Sequence, residues 1–194
     1  VTRSIQEIEA IDLLPFKTAV ESGVDIVMTA HIIYDAIDKK NPATLSSKIL
    51  KGYLRDKLGF DGVIMTDSFN MHAIQKNYNP AEAAILAILA GADMIMLAEE
   101  RYGEDVGDYI KSQNRILDAV EKAVLEGKIP MSRINEAYNR LIKLKEKFKL
   151  KERLPVDPKI AKITIGNEEN KKIALSCAEA ALTTLYDTRK SIPL

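Results

Sequence analysis

Three segments of the chain share one pattern, in which glycine, any residue and aspartate precede an apolar run containing methionine. They read ESGVDIVMTA, KLGFDGVIMTD and LAGADMIMLA, with glycines at Gly23, Gly59 and Gly91. Each follows a helical pattern, so each predicts a helix that ends at a left-handed glycine, then a short turn and a buried strand. The apolar runs do not alternate with polar residues, which is typical of parallel strands covered on both faces.

The spacing of these units predicts the fold class. The glycines lie 36 and 32 residues apart, close to the roughly 31 residues per unit of an eight-unit barrel. We therefore predict an α/β fold made of about three βα units, the C-terminal portion of a TIM-type (β/α)8 barrel. Three parallel strands cannot close a barrel and would leave bare edges. We accordingly expect the chain to be a piece of a longer protein, with about five units missing.

The rest of the chain predicts two more helices, a linker and the start of a second domain. Helices are predicted over 104–127 and from Ser132, a candidate N-cap. The second of these has an apolar face made of Ile134, Ala137, Tyr138, Leu141, Ile142 and Leu144. The polar, proline-containing stretch 151–166 is typical of a linker. We therefore assign 1–150 to the barrel and 167–194, a helix and a short β-like run, to a truncated α/β second domain.

The composition argues against several classes of function. Lys plus Arg equals Asp plus Glu at 28 each, so no excess positive charge favours a nucleic-acid partner. No apolar run approaches the roughly 20 residues that cross a membrane. Cys177 is the only cysteine, which excludes an internal disulfide and a multi-cysteine zinc site. The first residues, VTRSIQEIEA, carry neither a start methionine nor a signal-peptide pattern, so they assign no compartment.

A carboxylate stands at the end of the second predicted strand. Functional groups of closed βα barrels lie at such ends, where Asp67 follows the second strand and Thr29, Ala30 and His31 follow the first. Asp67 could be a nucleophile, a general base, a metal ligand or the N-cap of the next turn, and the spacing alone does not choose between catalyst and cap. A metal is disfavoured, because His31 and His72 are the only histidines and form no paired motif. No phosphate-binding loop occurs either.

Several blocks of the sequence resemble one known family. VMTAHIIY, PATLSSKIL, LGFDGVIMTDSFNM and GADMIML are similar to the later part of the catalytic barrel of family 3 glycoside hydrolases. They are most similar to the β-N-acetylhexosaminidase branch. IPMSRI matches a further family pattern loosely, and ALTTLYDTRKSIPL resembles the start of the second domain found in many members. The resemblance thus extends over nearly the whole chain.

The resemblance implies a role for each candidate residue. Asp67 would be the nucleophile of a retaining glycosidase, whose carboxylate forms a glycosyl-enzyme at the anomeric carbon. Ser68 stands where the glucosidase and xylosidase branches usually carry Trp, and the pattern Asp-x-x-x-Met would place Met71 beside the sugar. His31 would hydrogen-bond to Asp67 or to the sugar. Packing roles remain open for Met71 and His31, and a structural or solvent-facing role is expected for His72.

The resemblance also implies what the chain lacks. In this branch the general acid/base, a histidine paired with an aspartate, and a sugar-binding Lys-His pair precede the region that matches here. We therefore expect the chain alone to be inactive and to depend on the N-terminal half of the same protein. The implied substrate is a terminal β-linked N-acetylglucosaminide of cell-wall or chitin-type oligosaccharides. Such an enzyme would need no cofactor, because the protein supplies both the carboxylate and the imidazole. A β-glucosidase or β-xylosidase of this family, or a non-catalytic carbohydrate-binding relative, are the alternatives.

Overall fold

The structure is a computed structural model that describes residues 1–69, 71, 74, 76–97, 106–153 and 155–183, with 106–109 described by their backbone alone. The chain divides into two compact units, Val1–Lys151 and Glu152–Leu194.

The first unit alternates helices with short strands. In chain order its elements are α1 Ile5–Glu7, a π-helical turn Ile8–Asp12, α2 Leu14–Glu21, β1 Ile26–Met28, a 3-10 turn Ala43–Leu45, a π-helix Lys48–Lys57, β2 Val63–Met65, α3 Pro80–Ala90, α4 Val106–Leu125 and α5 Met131–Lys147. This order confirms the predicted α/β alternation over the described residues.

The predicted parallel pairing of the first two strands is confirmed. Ile26 lies opposite Val63, and the register continues to Met28 opposite Met65. The third predicted strand is reduced to a single parallel bridge between Met65 and Met94. The ladder is interrupted there because the Met96 N–H donates to the Thr66 hydroxyl, at 2.9 Å, rather than to a backbone carbonyl.

Glycines end the helices that precede the strands, as the repeated pattern predicts. Gly23, Gly59 and Gly91 have φ of +79°, +69° and +123°, a region that residues with a Cβ rarely adopt. The predicted N-cap at Ser132 is wrong. Helix α5 begins one residue earlier, at Met131, with Pro130 in the cap position.

The core of the first unit joins the sheet to the π-helix and to α3. Its buried residues are Val27, Leu45, Leu50, Leu54, Phe60, Ile64, Phe69, Ile74, Ala83, Ala84, Ala87, Ala90, Ala92 and Ile116. The alanines belong largely to α3, and their small side chains let this helix pack close to the 3-10 turn and the π-helix.

Two expectations about burial are wrong. Ile26 and Met28 of β1 remain 38% and 46% exposed, because the described residues cover only one face of that strand. Tyr138, placed on the apolar face of α5, is 61% exposed. The other five residues predicted for that face are at least half-buried.

The described part of the second unit contains two helices, α6 Pro158–Thr164 and α7 Glu168–Ala180. Helix α6 lies inside the stretch predicted as a linker, where Asp157 accepts a hydrogen bond from the Lys159 N–H and caps it. Cys177 is exposed and free. The predicted β-like run lies largely beyond the described residues. In the described part of both units, no helix is long and apolar enough to span a membrane.

Candidate active site

The two strands end side by side, which brings the candidate residues to one edge. The Thr29 N–H donates to the Met65 carbonyl at 2.8 Å, and the Thr66 N–H donates to the Met94 carbonyl at 2.9 Å. The segments that follow β1 and β2 therefore emerge together. His31 lies on the first and Asp67 on the second, so the structure brings these two segments together as barrel geometry predicts.

The Asp67 carboxylate is held at one oxygen. Its Oδ1 accepts a hydrogen bond of 2.7 Å from the N–H of Ser68. A helix N-cap accepts from an N–H two or three residues further on, whereas the Phe69 N–H donates to the Met96 carbonyl. Among the residues that the structure describes, Asp67 forms no ion pair and Oδ2 accepts no hydrogen bond. Of the two carboxylate oxygens, the described residues thus engage Oδ1 alone.

His31 is held through both ring nitrogens. Its Nδ1 lies 2.9 Å from the Thr44 hydroxyl, and its Nε2 lies 2.9 Å from the Ser68 carbonyl oxygen. The ring also packs against Phe69, with centroids 6.1 Å apart. Of the two partners predicted for His31, Asp67 is not bound here, because both nitrogens have other partners, and the contact with a sugar stays a prediction. His31 instead binds the backbone of the residue that follows Asp67.

Thr44 is a site residue to which the sequence analysis assigns no role. It is fully buried, and its hydroxyl also lies 2.8 Å from the hydroxyl of Thr29. Its N–H donates to the Ala30 carbonyl at 3.2 Å. The sequence signal that could have pointed to Thr44 was the PATLS block that contains it. Which of its residues would face His31 depends on the path of the loop, and the pattern does not contain that path.

The loop that carries Thr44 is organised by a buried carboxylate, Asp38. It accepts hydrogen bonds from the Lys40 N–H, from the Asn41 N–H and side-chain amide, and from the Ser46 hydroxyl, at 2.8–3.3 Å. Burial alone would raise the pKa of Asp38. The hydrogen bonds, led by that from Lys40, outweigh burial and lower the pKa from 3.8 to about 2. Asp38 thus stays ionised and fixes the 3-10 turn 43–45.

Met71 lies on the turn that leaves Asp67. Its N–H donates to the Ser68 carbonyl at 3.3 Å, and its carbonyl accepts from the Ile74 N–H at 3.0 Å. Phe69 and Ile74 are buried and anchor this turn, whereas the Met71 side chain is 36% exposed. Met71 is thus accessible beside Asp67. His72 lies outside the described residues.

The site offers no obvious place for a metal. No group of three or more His, Cys, Asp or Glu side chains that could hold a metal ion occurs in the described part of the chain. The described residues at this edge include the carboxylate of Asp67, the imidazole of His31 and the hydroxyl groups of Thr29 and Thr44.

The family of the chain follows from a match to a family model. The model of the glycosyl hydrolase family 3 N-terminal domain matches residues 1–144. The chain belongs to glycosyl hydrolase family 3. The N-terminal domain of family 3 has a TIM-barrel fold, which agrees with the parallel βα units seen here.

Family 3 relatives carry more than one activity in their names. Beta-hexosaminidase A of Pseudoalteromonas piscicida is 31% identical over 185 residues, or 89% of this chain and 30% of that protein. A beta-xylosidase of Formosa agariphila is 28% identical over 196 residues, or 98% of this chain and 25% of that protein.

A solved structure in the same family is also similar. The glycoside hydrolase family 3 beta-N-acetylglucosaminidase from Paenibacillus sp. str. FPU-7 is 34% identical, with a TM-score of 0.78 over 92% of this chain and 32% of that one. The chain thus spans about a third or less of the length of these three proteins.

Proposed function

We propose that the chain supplies the nucleophile of a retaining glycosidase that removes terminal β-linked N-acetylglucosamine from cell-wall or chitin-type oligosaccharides. The observation that carries the proposal is the position of the Asp67 carboxylate and its hydrogen bonding. Its carboxylate stands at a strand end, is oriented by the Ser68 N–H, and keeps one oxygen unengaged by the described residues. A group so oriented meets the positional demands of attack on an anomeric carbon.

The proposed reaction has two steps. Asp67 Oδ2 attacks the anomeric carbon while the bond to the leaving oxygen breaks, and the leaving oxygen takes a proton from a general acid. Water then cleaves the glycosyl ester and regenerates the carboxylate. The Ser68 N–H would restrain the carboxylate rotamer in both steps. Met71, exposed on the following turn, would line the sugar site, and His31 would support the same turn through the Ser68 carbonyl.

We further propose that the general acid comes from an N-terminal half of the same protein. The first unit would supply about three βα units of a closed barrel, with the partly exposed β1 facing the remainder. The chain alone would then lack a proton donor, which forfeits a factor of about 10² to 10⁴ from that step, together with most of the sugar-binding surface. Asp67-dependent turnover of an aryl N-acetyl-β-glucosaminide by the 194-residue chain would contradict this proposal.

Removal of the nucleophile followed by chemical rescue tests the catalytic proposal. In the full-length protein, Asp67→Ala should abolish turnover, and added azide should restore it by occupying the vacated space. The product should be a glycosyl azide whose anomeric configuration is inverted relative to the substrate. Asp61→Ala is the matched control, since Asp61 lies at the opposite end of β2 and should need no rescue. If azide has no effect, or if the product retains the configuration of the substrate, Asp67 is not the nucleophile.

The sugar specificity needs a separate experiment. The beta-hexosaminidase and beta-N-acetylglucosaminidase relatives favour an N-acetylated substrate, and Ser68, which is buried, stands where the resemblance places the Trp of the other branches. The beta-xylosidase relative supports the alternative. The kcat/KM values for aryl N-acetyl-β-glucosaminide, β-glucoside and β-xyloside should differ in favour of the first. A preference for either plain sugar would assign the protein to the alternative.

A further inference from the structure

We propose that Thr44 is a positioning residue that donates a hydrogen bond to Nδ1 of the His31 tautomer that the Ser68 carbonyl requires and, through His31, holds the turn that carries Asp67. The catalytic consequence rests on the proposed function, whereas the tautomer itself does not. The proposal follows from four contacts that run in series from the end of β1 to Asp67.

The direction of these hydrogen bonds follows from what each atom can do. The Ser68 carbonyl oxygen can only accept, so the His31 Nε2, 2.9 Å away, must carry a proton. In the neutral imidazole, Nδ1 is then an acceptor. Its partner at 2.9 Å is the Thr44 hydroxyl, which has one proton to donate. Because that proton goes to Nδ1, the Thr29 hydroxyl, at 2.8 Å, must donate to Thr44.

Thr44 is well placed to donate this hydrogen bond to Nδ1. Its side chain is fully buried and that of Thr29 nearly so, and a buried hydroxyl is strongly held to its protein partners. Its backbone is fixed by the Ala30 carbonyl, and the neighbouring Ser46 is tied to the ionised Asp38 at 2.8 Å. The hydroxyl therefore stands in place before a substrate arrives, which is what a positioning group requires.

The effect reaches Asp67 through the backbone of Ser68. The Ser68 carbonyl accepts from His31 and from the Met71 N–H, and the Ser68 N–H donates to Asp67. The orientation of the carboxylate is therefore coupled to the side chain of His31. If His31 loses its support, the Ser68 backbone and the carboxylate gain freedom, and misplacement of a reacting group by about 1 Å can cost about 10²-fold in rate.

Two variants separate the contribution of the Thr44 hydroxyl from that of the volume of its side chain. Thr44→Val keeps the shape of the side chain and removes the hydroxyl, whereas Thr44→Ser keeps the hydroxyl and removes a methyl group. In the full-length protein, Thr44→Val should lower kcat by about 10- to 100-fold with KM changed by less than about threefold. Thr44→Ser should restore kcat to within about threefold of the wild type.

A spectroscopic readout tests the tautomer without any activity. With ¹⁵N-labelled histidine, at a pH where the ring is neutral, the His31 resonances are assigned by their loss in His31→Gln. The wild type and Thr44→Ser should have a protonated Nε2 and a hydrogen-bonded, unprotonated Nδ1. In Thr44→Val the Nδ1 resonance should move to the position of an acceptor without a donor. A protonated Nδ1 in the wild type would overturn the proposal even if no variant could be prepared.

A third variant distinguishes positioning from packing. Thr29→Val removes the hydroxyl that donates to Thr44 but leaves the Thr44 hydroxyl able to donate to His31. It should therefore lower kcat less than Thr44→Val does. Equal losses of kcat with unchanged His31 resonances would mean that both threonines act by packing alone. Because the resonances are measured without substrate, the proposal for Thr44 can fail or stand independently of whether Asp67 proves to be the nucleophile.

Discussion

Aspartates lie at both ends of the strands, but the groups that they bind differ between the two ends. At the end where the strands begin, the repeated pattern supplies Asp25, Asp61 and Asp93, and each of them meets one or more cations. At the end where they finish, Asp67 meets a single backbone N–H among the described residues. Within the described residues, the aspartates of the first end are thus paired with cations, whereas Asp67 at the second end is not.

The cations at the first end come largely from one helix. On α5, Arg133, Arg140 and Lys147 recur at intervals of seven residues, which places them on one face. Arg133 pairs with Asp93 and Lys147 pairs with Asp25. Arg140 lies between them and reaches both Asp93 and Asp61. Helix α5 therefore crosses the beginnings of all three strand segments.

Asp93 is the most enclosed of these carboxylates. Its side chain is fully buried, and it accepts hydrogen bonds from Arg55 at 2.6 Å, from Arg133 at 2.5 Å and from the Ile64 N–H at 3.0 Å. Burial of a charge is costly unless it is paired and hydrogen-bonded. Asp93 is thus a structural carboxylate surrounded by guanidinium groups, whereas the described residues hold Asp67 by a single amide.

The largest effect expected from this comparison is on activity. In the full-length protein, Asp67→Asn should lower kcat/KM by at least about 10³-fold, because an amide cannot form the glycosyl ester. The midpoint of thermal unfolding should stay within about 2 °C, since a partly exposed side chain with one amide contact contributes little to stability. A large loss of stability, or retained activity, would mean that Asp67 is a structural carboxylate like those at the other end of the strands.

The reciprocal change should act on stability. Asp93→Asn should lower the free energy of unfolding by about 3–5 kcal/mol, because it leaves buried arginines without a counter-charge. Urea denaturation followed by circular dichroism measures the loss. Asp61→Asn, whose side chain is 76% exposed, is the matched control and should cost less than about 1 kcal/mol. Equal effects of the two substitutions would mean that burial does not decide the role of the repeated aspartates.

The loop beneath the active site should respond to acid. The lowered pKa of Asp38 means that its stabilising contribution is complete above its ordinary value of 3.8 and is lost as the pH falls to about 2. Asp38→Asn should therefore cost about 2 kcal/mol at pH 7 and progressively less toward pH 2. Unfolding free energies of the two proteins, measured from pH 7 to pH 2, should converge. A constant difference would show that the charge of Asp38 is not responsible.

The smallest effect on stability is expected for an exposed ion pair near the beginning of β1. Lys147 pairs with Asp25, and their side chains are 56% and 31% exposed. Exposed pairs contribute about 0–1 kcal/mol and weaken with salt. Lys147→Met should therefore change the free energy of unfolding by less than about 1 kcal/mol, and 1 M NaCl should reduce the difference. A loss comparable to that of Asp93→Asn would extend the structural role to the whole face of α5.

Much of the fold was predictable because local rules coincide in this chain. Gly23, Gly59 and Gly91 mark helix ends, and unbroken apolar runs mark parallel strands. The extent of the third strand was not predictable, since the Thr66 hydroxyl replaces a backbone acceptor only once β2 and the segment after Gly91 lie together. The N-cap at Ser132 failed for a similar reason, because the local pattern also allows the start at Met131 that the structure adopts.

The sequence by itself determined the alternation of helices with parallel strands and the position of Asp67 at a strand end, since both depend on residues close together in the chain. It also carried the family resemblance. Only the tertiary structure decided which aspartates pair with cations among the described residues, because Arg55, Arg133 and Asp93 meet across about 40 residues of sequence. The same holds for Thr44, His31 and Ser68, whose contacts depend on the path of a loop and not on any local pattern.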